Sequence, residues 1–466
     1  MDSICEQNHQ TNVLLVTISI QGHLNPILRL GNTLVSKGLN ITLAANDYVP
    51  KNRPSVPNTI GGVQLQLFSD GLPIEYNRQG NMEHFMDMLG EFGPVNLLAL
   101  IQSHPRKFSC IIYTPLVPWA ADVAAEIGVP SAMLWIQACT VYQIYDRFYN
   151  QLDEFPSQSN QNLCVKLPGL PVFVPEELPS FVLPSNKFRM FDNILNEMFH
   201  NMHKVQWVLG NSFMEIEKDV IASVNEAGRK FLPVGPIVPP ILLGMEGDVD
   251  LDNYQSGEES ICIEWLNKQE PSSVVYISFG TLLFLSQKQI ESIAIGLKHN
   301  KRPFLWVIRP TENQNTSELD ILEEIKDQGL IVSWSPQTSV LSHPSVGCFL
   351  SHCGWNSLLE SIAAGVPLIA CPEWTDQPTN AKLVTDVWGV GVKLKKSSEG
   401  SISGDEVERC VEEIMSGPRS TEFKKNAAEL KLAACRALTD GGSSENNIQM
   451  FINEIIASSS SNSIQD

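Results

Sequence analysis

The segment 334–377 decides the fold and reads WSPQTSVLSHPSVGCFLSHCGWNSLLESIAAGVPLIACPEWTDQ. Its middle is an apolar run, residues 346–350, which predicts a buried strand. A turn of small and polar residues, 351–357, follows it. Residues 358–364 then have the spacing of a helix that ends at a glycine. This strand–turn–helix unit is typical of α/β proteins with parallel sheets.

The turn before this helix is a candidate anion site. Backbone N–H groups at a helix start have no partner within the helix, and the helix dipole makes that end positive. His352, Asn356 and Ser357 would add side-chain donors. The alternative is a capping box, in which Ser357 and Glu360 satisfy the helix start themselves and bind no ligand. The turn alone does not decide between the two.

The two ends of the segment carry residues that suit a planar base and a sugar. Trp334 follows a predicted strand, and its ring can either stack on a base or simply be half-buried in a loop. Asp376 and Gln377 precede another predicted helix and suit sugar hydroxyls. The alternative is that Asp376 is only a helix N-cap.

The rest of the chain repeats this strand–helix pattern in two halves. Short apolar runs between helix-patterned stretches predict parallel strands buried on both faces. The acidic, Gly-containing stretch 244–257 predicts an exposed linker between the halves. The predicted strands are 13–18, 41–45, 63–67, 110–113, 132–136 and 207–209 in the first half, and 274–278, 304–308, 330–332, 347–350, 368–371 and 391–394 in the second.

Composition excludes several classes of protein. The chain has 466 residues, of which 43% are hydrophobic, and this excludes a mainly disordered chain. The 32 Lys and Arg against 52 Asp and Glu give a formal charge of −20, which argues against nucleic acid as a partner. No run reaches the ~20 apolar residues of a membrane helix. The N-terminus carries Asp2 and Glu6 before an apolar stretch, 13–20, of only eight residues, which is not typical of a secretory signal. We therefore expect a cytoplasmic protein with no integral membrane contact.

Metal binding is not predicted. The 10 Cys form no CxxC pair and no zinc pattern. The acidic cluster within 248–252 is followed by Asn253, where a calcium loop needs Gly. His200 and His203 lie on one predicted helix face without a third ligand nearby.

The segment 334–377 resembles the signature box of the plant family of UDP-sugar-dependent small-molecule glycosyltransferases. The likeness includes the opening Trp, the His-Cys-Gly-Trp-Asn-Ser core, the Glu after it and the closing Asp-Gln. The stretches 21–26 (QGHLNP) and 278–281 (SFGT) agree with it, so the resemblance covers essentially the whole chain. It implies the α/β fold called GT-B, with two Rossmann-like domains whose parallel sheets face a cleft.

The resemblance also implies a division of labour along the chain. Residues 1–240 would bind the acceptor, 241–258 would be a linker, and 259–445 would bind the UDP-sugar. A C-terminal helix within 446–466, with a frayed tail, would cross back to the first domain. We expect a monomer that needs no cofactor, because UDP-glucose is a co-substrate.

By resemblance, the donor is UDP-glucose. Trp334 would stack on uracil, Gln337 would help to hold the nucleoside, and Glu360 would bind the ribose hydroxyls. The family associates a closing Gln, here Gln377, with glucose, and Trp355 rather than Arg fits a neutral hexose. The implied diphosphate contacts are His352, Asn356, Ser357, Ser278 and Thr281, and the implied sugar contacts are Trp355, Asp376 and Gln377.

The catalytic base implied by the resemblance is His23. A histidine near its unperturbed pKa of about 6.5, just after the first strand, can accept the proton of an attacking hydroxyl. Most of the family has an Asp that orients this His, but Thr114 stands at that position and cannot stabilise an imidazolium as a carboxylate does. Asp122 lies roughly 12 Å further along any helix that begins there, and we expect it to be a surface or capping residue.

The missing Asp favours a carboxylic acid as the acceptor. Such an acid, with a pKa of about 4, is already ionised at pH 7 and needs little help from a base. The branch that this chain resembles includes many ester-forming enzymes of secondary metabolism. We expect inverting transfer of glucose to a carboxyl group, a phenolic hydroxyl or both, on a small hydrophobic plant-type metabolite or hormone. Candidate pocket residues, which could equally be core residues, are Phe85, Trp119, Trp135, Gln137, Tyr142, Phe181 and Phe191.

Two other functions compete with this one. A nucleotide-dependent oxidoreductase fails on spacing, because no strand-linked G-x-G-x-x-G and no Walker-type G-x-x-x-x-G-K-[ST] occurs. A non-catalytic sugar-nucleotide or hormone-binding protein would keep the donor loop without needing His23. Release of UDP in a glucose-donor assay separates that protein from an enzyme.

Overall fold

The apolar runs form the strands of two sheets in the computed structural model. The structure describes residues 11–46, 58–78, 80–244, 258–280, 285–309, 320–397 and 400–462. The strands within these residues are β1 (Asn12–Thr17), β2 (Asn40–Asn46), β3 (Thr59–Ile60), β4 (Val63–Phe68), β5 (Cys110–Tyr113), β6 (Ser131–Trp135), β7 (Trp207–Gly210), β8 (Phe231–Pro233), β9 (Val274–Ser278), β10 (Phe304–Val307), β11 (Gly329–Val332), β12 (Val346–Ser351), β13 (Leu368–Ala370) and β14 (Gly391–Lys393).

The two sheets are almost entirely parallel. One has the strand order β3-β4-β2-β1-β5-β6-β7-β8, and the other has the order β11-β10-β9-β12-β13-β14. In the central strand β1, aliphatic side chains that point to both faces are buried, which is typical of strands covered by helices on both sides. The prediction of an α/β fold with two parallel sheets is confirmed.

All twelve predicted strands are confirmed, each to within one residue at either end. Two further strands were missed. Strand β3 is two residues long and is the antiparallel partner of β4, so it has no readable pattern. Strand β8 ends at Pro233, which cannot donate to a ladder, and it lies at an edge of its sheet, where proline is tolerated.

Helices connect the strands. Those described are α1 (Gln21–Ser36), α2 (Met82–Ser103), α3 (Ala120–Glu126), α4 (Cys139–Tyr149), α5 (Arg189–His200), α6 (Met214–Glu226), α7 (Glu258–Leu266), α8 (Gln287–Asn300), α9 (Asp320–Ile325), α10 (Gln337–Ser342), α11 (Trp355–Ala364), α12 (Gln377–Lys382), α13 (Gly404–Met415), α14 (Ser420–Leu438) and α15 (Ser443–Asn462). Across the described ranges, none of these helices has both the length and the apolar character that a membrane span requires.

The chain divides into two compact units. Unit 1 comprises Met1–Pro175, Phe181–Ile237 and Ala437–Asp466, and unit 2 comprises Glu176–Ser180 and Val238–Arg436. Pro240–Leu243, just before the predicted exposed linker 244–257, is a 3₁₀ turn whose Leu242 and Leu243 are buried. Residues 245–257, which hold the rest of that stretch and the acidic cluster, lie outside the described residues.

The C-terminal helix α15 belongs to unit 1 and packs near β7 and β8. The Phe451 ring meets Trp207 edge-on, with their centroids 5.2 Å apart, and Trp207 Nε1 donates to Glu454 Oε2 at 2.5 Å. Lys230 forms an ion pair with the same carboxylate. Phe451 is buried, so α15 supplies part of the core of unit 1.

We expect Phe451→Ala to lower the free energy of unfolding of unit 1 by about 3–5 kcal/mol, because it removes a buried ring and leaves a cavity. The matched control is Met450→Ala, since the neighbouring Met450 is 38% exposed and should change stability little. Urea denaturation followed by circular dichroism measures both. Equal effects of the two substitutions would contradict the packing of α15 into this core.

Candidate functional site

The candidate anion site lies where β12 ends and α11 begins. The helix starts at Trp355, three residues earlier than predicted, and its N-cap is Gly354, which makes no side-chain capping bond. The alternative of a capping box is therefore wrong, because Ser357 is the third residue of the helix. The Glu360 carboxylate instead accepts a hydrogen bond from Gln337 Nε2 at 2.7 Å. The positive end of α11 is thus open to an anion at its N-cap.

Helix α4 in unit 1 shows the opposite arrangement. The buried carboxylate of Glu217 accepts hydrogen bonds from the backbone N–H groups of Cys139 and Thr140, both at 2.8 Å, and so closes the start of that helix. Burial raises the pKa of Glu217, while its hydrogen bonds from neutral donors oppose that shift. A carboxylate therefore closes the start of α4, whereas the N-cap of α11 is a glycine that makes no side-chain capping bond.

His352 lies in the turn before α11, and two glycines make room for its ring. A Cβ on Gly280 would come within 2.7 Å of His352 Cε1, and a Cβ on Gly354 within 2.4 Å of Nε2. Gly280 also has φ +72°, which disfavours any other residue there. The Nδ1 atom of His352 is buried and has no hydrogen-bond partner among the described residues. Burial lowers the pKa of His352 to about 4, so the imidazole is neutral at pH 7.

Gln337, at the start of α10, connects the predicted nucleoside and ribose residues. Its Nε2 donates to Ser357 Oγ at 3.0 Å as well as to Glu360, and the Tyr276 hydroxyl donates to its Oε1 at 3.3 Å. The amide is therefore held from both ends, and it fixes one oxygen of the Glu360 carboxylate. Trp334 lies three residues before Gln337, half-buried in the loop after β11, as predicted.

The other predicted donor residues differ in how they are placed. Ser278 ends β9, and Asn356 is the second residue of α11. The Trp355 indole is buried, and its centroid lies 6.1 Å from that of the Trp388 ring. Thr281 lies outside the described residues.

Asp376 and Gln377 are both buried and orient the loop before α12. Asp376 occupies the N-cap position but makes no capping bond, so the alternative of a simple helix cap is wrong. Its carboxylate accepts from Thr375 Oγ1 and from Asn380 Nδ2, both at 2.7 Å. Gln377 Oε1 accepts from the backbone N–H groups of Glu373 at 2.9 Å and Trp374 at 3.3 Å. This anchoring leaves Gln377 Nε2 as a donor of defined direction, which suits a sugar hydroxyl.

Asn380 was not predicted as a site residue, although it links the turn before α11 to the loop before α12. Its Nδ2 donates to the Cys353 carbonyl at 2.9 Å as well as to Asp376. Cys353 has φ 64°, a left-handed conformation that a non-glycine residue keeps only when it is held in place. The sequence did contain a hint of this contact, because Asp376 and Asn380 are four residues apart at a predicted helix, a spacing at which side chains can interact.

His23, the predicted base, lies in unit 1 in the first turn of α1 rather than in a glycine turn before it. Its backbone N–H donates to the Ile20 carbonyl at 2.9 Å. The Nδ1 atom is buried and has no hydrogen-bond partner in the described part of the chain. Burial lowers the pKa of His23 to about 4, so the ring is neutral at pH 7 and able to accept a proton.

Thr114 does not orient His23. The hydroxyls of Thr114 and Thr17 are hydrogen-bonded to each other at 2.9 Å, and both side chains are buried. Asp122 accepts from Lys204 Nζ at 2.7 Å, and its side chain is half exposed, so it is the surface residue that was expected. In the described part of the chain, neither Thr114 nor Asp122 takes the place of the Asp that orients this histidine in most of the family.

The candidate acceptor-pocket residues fall into two groups. Phe85, Trp135 and Tyr142 are buried, with Trp135 and Tyr142 edge-on at 5.5 Å, and these positions fit the core alternative. Phe181 is almost buried and stacks on Phe191 at 5.7 Å. The members that keep some exposure, and so remain candidates for a pocket wall, are Trp119, Gln137 and Phe191.

The histidine pair considered as a metal site has an ordinary structural role. The Nδ1 atoms of His200 and His203 lie 2.8 and 3.1 Å from the carbonyl oxygens of Asn196 and His200, at the end of α5. Elsewhere in the described chain, one group of potential ligands, His299, Asp405 and Glu408, lies largely exposed at the surface. That no metal is needed stays a prediction.

Comparisons with known proteins show the family to which the chain belongs. The family model described as "UDP-glucoronosyl and UDP-glucosyl transferase" matches residues 189–433. The chain is 42% identical to UDP-glycosyltransferase 84B1 of Arabidopsis thaliana (96% of this chain, 98% of the relative). It is 36% identical to gallate 1-beta-glucosyltransferase of Quercus robur (96% and 90%). Os79 from O. sativa, solved in complex with UDP, matches with a TM-score of 0.83 at 32% identity over 95% of this chain and all of that one.

The low pKa of His352 predicts a specific loss of stability in mild acid. As pH falls from 7.5 to 5.5, the unfolded chain binds a proton at this histidine while the folded chain does not. Because the pKa of His352 is about 4 in the folded chain and 6.5 in the unfolded chain, the free energy of unfolding falls by about 1.4 kcal/mol between these two pH values. We expect His352→Gln to reduce the loss measured by urea denaturation at the two pH values by this amount. The same substitution at the exposed His84 controls for removing a histidine, and an unchanged loss in His352→Gln would contradict the burial of a neutral ring.

Proposed function

Because the chain belongs to the UDP-glucoronosyl and UDP-glucosyl transferase family, we propose that it transfers glucose from UDP-glucose to the carboxyl group of a small hydrophobic metabolite. The family and the relatives make it an enzyme, a UDP-glucosyltransferase, rather than a non-catalytic binding protein. The observation that carries the choice of a carboxyl acceptor is the Nδ1 atom of His23 in unit 1, which is buried and has no hydrogen-bond partner among the described residues.

Unit 2 offers one set of contacts for each part of the donor. Trp334 stacks on uracil, and the carboxylate of Glu360, held by Gln337, accepts from the ribose hydroxyls. The diphosphate lies at the open start of α11. Its predicted side-chain contacts are Ser278, Thr281, His352, Asn356 and Ser357. Since these donors are neutral or belong to the backbone, the site attracts an anion without Lys or Arg.

The sugar is oriented by the loop before α12. Asp376 accepts from its hydroxyls, and Gln377 Nε2 donates to one of them. The acceptor oxygen attacks the anomeric carbon as the bond to the UDP oxygen breaks, which inverts an α-linked donor to a β-linked product. The negative charge that develops on UDP is stabilised by the helix dipole of α11. UDP-glucose is consumed as a co-substrate, and no further cofactor takes part.

The basicity of His23 decides which acceptor is favoured. A phenol has a pKa of about 10, six units above the pKa of about 4 to which burial lowers His23, so full proton transfer is uphill by about 8 kcal/mol. A carboxylic acid has already lost its proton at pH 7 and avoids this cost. The relative from Quercus robur has a name that gives gallate, a carboxylate, as its acceptor. The product is therefore a glucose ester, with glucosides of phenols as slower products.

We also propose that the enzyme works in the cytoplasm and as a monomer. Nine described cysteines are free thiols and most are buried, which suits a reducing compartment such as the cytoplasm. A charge of −20 opposes binding to nucleic acid. The enzyme acts as a monomer on small molecules of plant secondary metabolism.

We expect an acid acceptor, such as cinnamic or benzoic acid, to be turned over at least about tenfold faster than a flavonol at equal concentration, because only the flavonol needs a base. Mass spectrometry detects the product, and alkali hydrolyses a glucose ester but leaves a phenolic glucoside intact. A strong flavonol preference with no activity on acids would overturn the ester proposal.

His23→Ala tests whether the preference for acids arises because only a flavonol needs His23 as a base. It should lower flavonol turnover by about 10²-fold or more and change acid turnover only a few-fold. Undiminished flavonol turnover would remove His23 from the role of base, while the transferase activity itself would stand.

Gly280→Ala tests the donor site separately. The added Cβ would displace the His352 ring, so we expect the affinity for UDP to fall by about tenfold, the effect of losing one hydrogen bond to a charged group. Gly441→Ala is the matched control, because Gly441 has φ +79° and nothing within 4 Å of its added Cβ. It carries the same backbone strain without the collision. Calorimetric titration with UDP measures both, and equal affinities would exclude His352 from the diphosphate site.

A further inference from the structure

The position of His23 depends on a three-residue link that has little support of its own. Strand β1 ends at Thr17 and α1 begins at Gln21. The carbonyl of Ile20 accepts the N–H groups of both His23 and Leu24, at 2.9 and 2.8 Å. Ile20 is the N-cap and its apolar side chain makes no capping bond. The position of the first turn of α1 therefore depends in part on the contacts that hold this link.

Asn46, the last residue of the neighbouring strand β2, holds this link by two hydrogen bonds. Its Oδ1 accepts from the backbone N–H of Ser19 at 2.7 Å, and its carbonyl accepts from Ser19 Oγ at 2.8 Å. Asn46 is buried, so water does not replace these bonds if they are lost. Asn46 thus fixes the backbone one residue before the N-cap of the helix that carries His23.

A buried ion pair orients the Asn46 amide. Asp70 and Arg78 are both buried, and the guanidinium donates from Nε to Oδ2 at 2.7 Å and from Nη2 to Oδ1 at 2.9 Å. Asn46 Nδ2 donates to the same Asp70 Oδ2 at 2.8 Å, which directs its Oδ1 toward Ser19. Burial alone would raise the pKa of Asp70, but the hydrogen bonds from Arg78 and Asn46 outweigh it and lower the pKa. Asp70 therefore stays a carboxylate and keeps the amide in one orientation.

We infer that Asn46, oriented by the Asp70–Arg78 ion pair, is a positioning residue for His23. The inference rests on the proposed role of His23 as the base for hydroxyl acceptors. Because no hydrogen bond among the described residues fixes the His23 imidazole at Nδ1, its placement depends on its backbone and on packing. A displacement of about 1 Å at such a group can cost about 10²-fold in rate.

The test is Asn46→Ala in the full chain, assayed with UDP-glucose and either a flavonol or an aromatic acid. We expect kcat on the flavonol to fall by about 10- to 100-fold, with KM for UDP-glucose unchanged and acid turnover altered only a few-fold. Ser19→Ala removes only the hydroxyl bond and should produce a smaller fall in the same direction. A purely structural defect would lower both reactions by the same factor, and that result, or no change in either, would overturn the inference.

Asn225→Ala is the matched control. Its amide likewise ties two backbone groups, the N–H and the carbonyl of Phe231, but it does so at β8, the far edge of the same sheet. Loss of this amide should leave the ratio of flavonol to acid turnover at its wild-type value. If Asn225→Ala changed the ratio as much as Asn46→Ala does, the effect would be general loosening of unit 1, and the inference would fail.

A second readout does not depend on turnover. In NMR titrations of the histidine Cε1–H signals, Asn46→Ala should raise the pKa of His23 from about 4 toward 6.5, because a loosened turn admits water to the ring. His352, whose pKa burial also lowers to about 4, lies in unit 2 and serves as the internal reference. An unmoved His23 signal would overturn the inference. Absence of wild-type glucose transfer to any acceptor would instead overturn the proposed function.

Discussion

The positive end of the α11 dipole lies at the turn after β12, where the N-cap has no capping side chain, and hydrogen bonds from Gln337 and Asn380 hold the residues around that turn. Gly354 at the N-cap contributes no side chain, and Gly280 leaves room for the His352 ring beside it. The nearby carboxylate of Glu360 is held by Gln337 and does not cap the helix. A protein with a charge of −20 can therefore bind a diphosphate, because the attraction comes from backbone N–H groups and neutral donors that net charge does not count.

Buried polar residues hold the loops around this helix start. Asn380 links the Cys353 carbonyl to Asp376, and Gln377 is anchored by the backbone of its own loop. In unit 1, Asn46 does the same for the turn that carries His23. In each case one amide side chain is hydrogen-bonded to backbone groups of a loop, so the loop is held in place without the ladder bonds of a helix or strand.

The sequence predicts most of the fold because the strands are short aliphatic runs whose burial on both faces is a local property. A donor segment can be proposed from sequence because most of its predicted contact residues stand together between 334 and 377. Prediction from sequence fails where partners are distant. The Ser-x-x-Glu pattern at 357–360 matches a capping box, but the helix start is set at Gly354 and Glu360 is engaged by Gln337, 23 residues away. The partner of Thr114 is Thr17, 97 residues away, and the partner of Asn46 is Ser19, 27 residues away. No local pattern predicts such pairs, because they depend on which strands become neighbours.

The two histidines of the proposed mechanism are neutral for the same reason, the desolvation of their rings, yet their neutrality has opposite consequences. At His352 a neutral ring is an advantage, since it can donate a hydrogen bond to a phosphate without the desolvation cost of a buried cation. At His23 it is a handicap, since a base whose conjugate acid has a pKa of about 4 takes a proton only from an acidic acceptor. A carboxylate beside His23 would correct this by stabilising the imidazolium. In this chain the corresponding hydroxyl of Thr114 is paired with Thr17 instead. An acceptor that arrives already ionised removes the need for the correction, so the chemistry missing from the enzyme would be supplied by its substrate.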